Sequence, residues 1–130
     1  MRIFLDANIL FSAARPDSRM RAFLKVLSKQ ADFPTNAYAV EETRRNLELK
    51  SPKDLKSLEQ LVRQCEMVSQ LAADREVELP LKDRPILGGA IAGQATHLLT
   101  GDERDFGRFW GKAVRGVKIV SPGMLAEEVL

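Results

Sequence analysis

The order of apolar runs in this chain predicts an α/β fold built on a parallel sheet. Three observations carry that expectation. Apolar runs of strand length alternate with longer stretches of helical period, and the alternation continues along the whole sequence. No repeat, low-complexity tract or Pro/Gly-rich linker divides it, so residues 1–130 are expected to form one domain. Strands joined by right-handed crossovers bring all their C-terminal ends to one edge of the sheet, where open α/β sheets bind ligands.

Each element follows from its own pattern. The run RIFL (2–5) suits a buried strand, and SAARPDSR behind it reads as an interruption because of Pro16. RMRAFLKVLSKQ (19–30) places Met20, Phe23, Leu24 and Leu27 at helical spacing. ADFPT is a short extended piece, AYAVEETRRNLEL (37–49) a helix, and PKDLKSLEQLVRQ (52–64) a helix opened by proline. CEMVS reads as a strand and 70–82 as a loop. RPILGGAIAGQA (84–95) is a small-residue helix able to approach a sheet closely. THLLT and VKIVS are strands, and PGMLAEEVL closes as a helix. The expected order is therefore βαβααβαββα.

Bulk chemistry narrows the class. With 45% hydrophobic and 29% charged residues the balance is that of a soluble globular protein. A net charge of +2 permits an anionic partner without requiring one. The single cysteine, Cys65, excludes an internal disulfide framework. No apolar run approaches the roughly 20 residues that span a bilayer. Asp6 and Asn8 interrupt the only N-terminal apolar run, so neither a membrane nor a signal peptide is expected, and the cytoplasm is the expected location.

The carboxylates are the informative residues. Asp6 follows the first strand, and Asp102 and Asp105 follow the strand ending LLTG, so they should emerge on one rim. Each also has a structural reading: Asp6 and Asp102 as helix N-caps, Asp83 accepting backbone hydrogen bonds from the turn that opens the next helix. Glu41 and Glu42 separate by helical geometry. Glu41 shares a stripe with Arg44, Arg45 and Glu48, a solvated ion-pair face. Glu42 lies toward Tyr38, Ala39 and Asn46, the side on which a carboxylate usually has a partner from elsewhere in the fold.

The resulting set of Asp6, Glu42, Asp83, Asp102 and Asp105 offers only oxygen donors. Zinc prefers nitrogen and sulfur, whereas Mg²⁺ or Mn²⁺ takes carboxylates and would offset their mutual repulsion. Such an ion activates water and stabilises displacement at phosphorus. Thr100 and Asn8 are placed to support the acids, and His97 within a strand pattern reads as a satisfied core or edge residue. Phe106, Phe109 and Trp110 could stack bases but fit local packing better.

Four stretches in this order, FLDANIL, AVEETRRNL, KDRPILGGAIAGQATHLLTGDERDF and VKIVSPGML, together resemble the PIN domain over almost the whole chain. The resemblance implies a three-layer α/β/α sandwich around a central parallel sheet of about five strands. It also implies a metal-dependent nuclease, most often the VapC-like ribonuclease toxin of a type II toxin–antitoxin pair. Carried over residue by residue, it places Asp6, Glu42, Asp83 and Asp102 as catalytic acids and metal ligands, with Asp105 as a further ligand. Asn8 and Thr100 would support them around Mg²⁺ or Mn²⁺. The implied partners are RNA and a cognate antitoxin, and a homodimer is allowed. Arg15, Arg45, Arg84 and Arg104 stand beside these motifs as candidate phosphate contacts. Other readings stay open: an RNA-processing or DNA-directed nuclease without antitoxin, or a catalytically idle module that binds RNA or protein. An aspartyl-phosphate phosphotransferase is weaker, because position 8 is Asn where a second aspartate would be needed.

Overall fold

The computed structural model describes residues 1–69 and 80–130. The chain opens with the buried strand β1 (Ile3–Leu5), and Asp6 caps the helix that follows it, α1 (Ala7–Ala14). The expected interruption at Pro16 is present, but the expected element order left out the helix that precedes it. The helix runs two turns before Pro16 stops it, because a residue preceding proline is pushed to extended backbone, and Arg15 has ψ 120°. Ser18 then caps α2 (Arg19–Leu27), its hydroxyl accepting from the Arg21 N–H.

Strand β2 (Pro34–Asn36) leads into α3 (Ala37–Lys50), where the Asn36 side chain accepts from the Ala39 N–H. The amide nitrogen of Asn36 donates to the Pro85 carbonyl at 3.0 Å. There follow α4 (Leu55–Arg63), β3 (Glu66–Val68), α5 (Arg84–Ala92) and β4 (His97–Leu99). Of the expected loop over 70–82, residues 70–79 lie outside the described residues, and Leu81–Asp83 form a single 3₁₀ turn. The last quarter holds α6 (Glu103–Phe106), β5 (Ala113–Val114), β6 (Val117–Val120) and α7 (Pro122–Val129). Among the described residues no helix is long and apolar enough to cross a membrane.

β1, β4 and β6 run parallel, and β2 pairs in parallel with β3. A lone parallel bridge between Arg2 and Asp32 joins the two groups, giving five parallel strands in the order β3-β2-β1-β4-β6. The unexpected β5 adds antiparallel to the free side of β6. Its turn places Arg115 and Gly116 at φ 52° and 82°, the paired left-handed geometry of a tight hairpin. Two residues carry no readable alternation, which is why the sequence did not announce this strand.

The core is made by the sheet's central strands, with Ile3, Phe4, Leu5, Leu98, Leu99 and Ile119 fully buried. Helix α1 packs on α2, α3 and α4, whereas α5 lies against β2 and β4 and α7 against β6. The small residues of α5 permit its approach. A Cβ on Gly89 would stand 2.8 Å from the Phe4 ring and collide with the Asn36 amide.

Gly89→Ala therefore gains helix propensity yet is expected to lose about 1–3 kcal/mol to overpacking. Urea unfolding checks this. An unchanged midpoint would mean that α5 can lift from the sheet without cost.

Candidate active site

The site lies where β1 and β4 end. The Asp6 N–H donates to the Leu99 carbonyl at 3.2 Å, continuing the β1–β4 ladder by one residue. Side-chain bonds then take over. The Asp6 carboxylate is 4% exposed and accepts three hydrogen bonds: Ala7 N–H at 2.6 Å, Asn8 Nδ2 at 3.1 Å and the Thr100 hydroxyl at 2.8 Å. Thr100, fully buried, accepts in turn from the Asp102 N–H at 3.1 Å and from Asn8 Nδ2 at 3.3 Å. Asn8 closes the ring by accepting the Gly101 N–H at 2.7 Å. Asp6 is thus both a helix cap and a member of the acidic rim.

Asp102 likewise caps α6, accepting the Asp105 N–H at 3.0 Å. This short helix turns Asp105 back toward Asp83, so that ligand oxygens of Asp83, Asp102 and Asp105 all fall within 4.8 Å of one another. Asp83 behaves differently from the sequence expectation. It precedes α5 but accepts no capping hydrogen bond from that helix. Its side chain is aimed at the other acids instead. The residue is 6% exposed, and its Oδ2 is buried without a hydrogen-bond partner, while the buried Oδ2 of Asp105 has only the Lys82 ammonium near it.

Two facing carboxylates have no donor between them unless one keeps a proton. Burial, and then the neighbouring Asp105, push the Asp83 carboxyl well above the usual carboxylate range. A proton held by Asp83 lends Asp105 a hydrogen bond, and Lys82 adds its charge, so Asp105 is held below that range. The Lys82 ammonium stands 3.3 Å from Asp105 Oδ2 at the exposed edge. Asp6 is pushed up to about 6, by burial above all, with Thr100 and Ala7 pulling the other way and the charges of Glu42 and Asp102 adding to the rise. The acids are therefore short of positive charge. Their all-oxygen donor set, with a buried, unpartnered Asp83 oxygen, fits a hard divalent cation.

Asp6, Glu42, Asp83 and Asp102 line one cleft of about 280 Å³. The two adjacent glutamates part as their helical positions require. Glu41 is bound by Arg44, with Arg45 at 3.7 Å, whereas Glu42 is half-buried and has no hydrogen bond or ion pair among the described residues. Asn46, on the Glu42 side of the helix, shares the cleft with Phe11, Ser12 and Lys50, which the sequence motifs did not single out. Asn46 and Lys50 continue the Glu42 stripe at one-turn intervals, the signal that could have found them.

The arginines are dispersed. Arg84 follows Asp83 with its Nε buried and unpartnered, Arg104 is exposed on α6 between Asp102 and Asp105, and Arg45 is exposed on α3. Arg15 does not join the cleft and lines a separate recess with Pro16, Asp17 and Asp54. His97 is a satisfied core residue, its Nε2 3.0 Å from Glu128 and its Nδ1 2.7 Å from the Thr96 hydroxyl. Phe106 is fully buried, and Phe109 and Trp110 pack beside the core.

In EDTA near pH 8, Asp83→Asn is expected to raise the melting temperature, because it removes a buried charge that no donor satisfies. Asp6→Asn should gain less, since the new amide confronts Asn8 Nδ2 and each lost hydrogen bond offsets about 1 kcal/mol. The sign with pH follows from the raised pKa of Asp83. The folded form holds its proton more tightly than the unfolded chain, so wild-type stability falls as pH rises through the folded pKa. The advantage of Asp83→Asn should therefore shrink on acidification. Melting curves between pH 5 and 8 check this, and a larger gain for Asp6→Asn would contradict the three-donor arrangement.

No protein-family model matches the chain, and no curated protein matches it. Solved structures do. VapBC2 from Rickettsia felis, solved bound to a DNA fragment from its promoter, aligns with TM-score 0.68 at 18% identity, covering 93% of this chain and 98% of that one. FitAcB from Neisseria gonorrhoeae aligns with TM-score 0.56 at 17% identity over 93% and 98%. VapC20 from Mycobacterium tuberculosis, described as a sarcin–ricin loop cleaving toxin, aligns with TM-score 0.51 at 15% identity over 78% and 91%. Identities this low speak to architecture, and the architecture agrees along nearly the full length. The chain has the fold of the VapC-type PIN domain.

Proposed function

We propose that this protein is a Mg²⁺- or Mn²⁺-dependent endoribonuclease, the toxin of a type II toxin–antitoxin pair. The observation that carries the reading is Asp83, a buried carboxylate with an unpartnered oxygen facing Asp102 and Asp105 at the C-terminal edge of a parallel sheet. A buried carboxylate is normally paired, and this one spends no hydrogen bond on the helix it precedes. Asp6, Glu42, Asp83 and Asp102 are the catalytic acids in this reading, with Asp105 completing the ligand set. A divalent ion there supplies charge for the phosphate in flight and lowers the pKa of water. Thr100 and Asn8 act through Asp6, holding its oxygen in place from the end of β4 and from the first turn of α1. Arg45, Arg84 and Arg104 take phosphates along the rim, and Arg15 contacts the strand farther out. That the similar folds include toxins in complex with antitoxins supports a cognate antitoxin as partner. A homodimer and a cytoplasmic location complete the proposal.

A fluorescent single-stranded RNA incubated with the protein should be cut with Mg²⁺ or Mn²⁺ and left intact in EDTA. Glu42→Gln should lower the rate at least about a hundredfold, as loss of a group acting on transition-state charge does. Glu41→Gln should leave cleavage unchanged, because Glu41 is engaged with Arg44 on the far stripe. Activity restored by Zn²⁺ alone, with Mg²⁺ and Mn²⁺ inert, would overturn the assignment, and so would the opposite ranking of the two glutamates.

A further inference from the structure

Helix α3 carries two polar stripes that are treated in opposite ways. On one, Arg44 binds both Glu41 and Glu48, so the charges there satisfy one another. On the other, Glu42, Asn46 and Lys50 follow at one-turn intervals, and all three line the same cleft. Among the described residues none of the three has a hydrogen bond or an ion pair. The recorded contact of Lys50 is with the Phe11 ring, 5.7 Å from its ammonium to the centroid, at the outer limit of a cation–π contact. Phe11 itself is half-buried on α1 and forms the facing wall.

The cleft therefore has a chemical direction. The acids occupy one end together with Lys82, whose charge is engaged by Asp105, and Lys50, without an ion pair among the described residues, stands at the other, about 12 Å along the helix from Glu42. Between them lie an aromatic face and a free carboxamide. The whole cleft measures about 280 Å³, just under the range for ligand pockets, so the half away from the acids has room for a single base.

We propose that the half of the cleft formed by Phe11, Asn46 and Lys50 is a subsite for the nucleotide flanking the scissile phosphate. This rests on the nuclease reading above and specifies how the strand is held. The flanking base lies on the Phe11 ring, whose π face accepts any base. Asn46 offers a donor and an acceptor to the base edge. The Lys50 ammonium leaves its distant position over the ring for the next phosphate. The acids repel phosphate, so this cation sets which way the strand runs away from them. Base and phosphate are common to RNA and single-stranded DNA, and the test separates the two.

The measurement is fluorescence anisotropy of labelled oligoadenylate hexamers, ribo and deoxy in parallel. Ca²⁺ replaces Mg²⁺, and each strand is checked on a gel to be uncut. Lys50→Gln should weaken binding and flatten the slope of log affinity against log salt by about 0.7, the value for one phosphate contact on a single strand. Phe11→Leu keeps apolar volume but removes the ring, and should cost at least about fivefold in affinity without flattening that slope. Both losses are required on whichever strand binds, and either variant binding like wild type overturns the subsite. The Mg²⁺-induced rise in melting temperature should be the same in both variants as in wild type. If wild type cuts RNA and responds to Mg²⁺ while the variants bind normally, the subsite fails and the nuclease reading stands. If wild type neither binds the hexamers nor responds to Mg²⁺, both fall together.

Discussion

The Thr100 hydroxyl donates to Asp6 while accepting the Asp102 N–H and the Asn8 amide, so one buried group ties the ends of β1 and β4 to the starts of α1 and α6. Three of the five rim acids take their positions from this arrangement, directly or through the turn of α6 that carries Asp105. A hydroxyl suits the place because it gives one hydrogen bond and receives two. Valine would fill the same volume, take away one of the three donors to Asp6 and leave the Asp102 N–H without its acceptor.

The same fold that builds this arrangement also accumulates unfavourable charge. Asp6 and Asp102 are partly compensated, since each caps a helix whose N-terminal dipole favours an anion. Asp83 has no such compensation, and Asp105 has only the exposed Lys82 beside it. Stability is thus spread unevenly across the rim. The acids that shape the backbone are well satisfied, and those that do not are left wanting a positive charge. That division is what distinguishes a site from a row of helix caps.

Much of this was legible in the residues. The five parallel strands followed from apolar runs of strand length, and the shared rim followed from the crossover rule. Helical phase alone separated Glu42 from Glu41. What escaped reading had specific causes. Helix α1 was missing from the expected order although Asp6 was readable as its cap, because Pro16 leaves it only two turns long. β5 was too short to show alternation. Asp83 looked like a cap because of its place before Arg84–Pro85, and only three-dimensional neighbours reveal where its carboxylate points. The separation of Arg15 from the cleft, and the inclusion of Phe11 and Lys50, depend on how α1 crosses α3. That crossing is a long-range packing result with no local signature.

One feature of the sheet bears on how the walls of the cleft are held. Between β1 and β2 the regular ladder is missing. The Arg2–Asp32 bridge holds one end, and at the other the Thr35 hydroxyl donates to the Leu5 carbonyl at 3.0 Å. Glu42 belongs to the β2–α3 side of this seam, while Asp6 and Asp102 belong to the β1–β4 side. Backbone pairing alone therefore fixes the two walls of the cleft less firmly here than elsewhere in the sheet. Thr43, fully buried and adjacent to Glu42, shares its one hydroxyl proton between two carbonyls, Ala39 in its own helix at 2.8 Å and Ala7 on α1 at 3.1 Å. Being β-branched, it has little rotamer freedom with which to follow a displacement. It ties α3 to the start of α1 right beside Glu42, and so fixes the register of the two walls across a seam that the sheet's own ladder does not close.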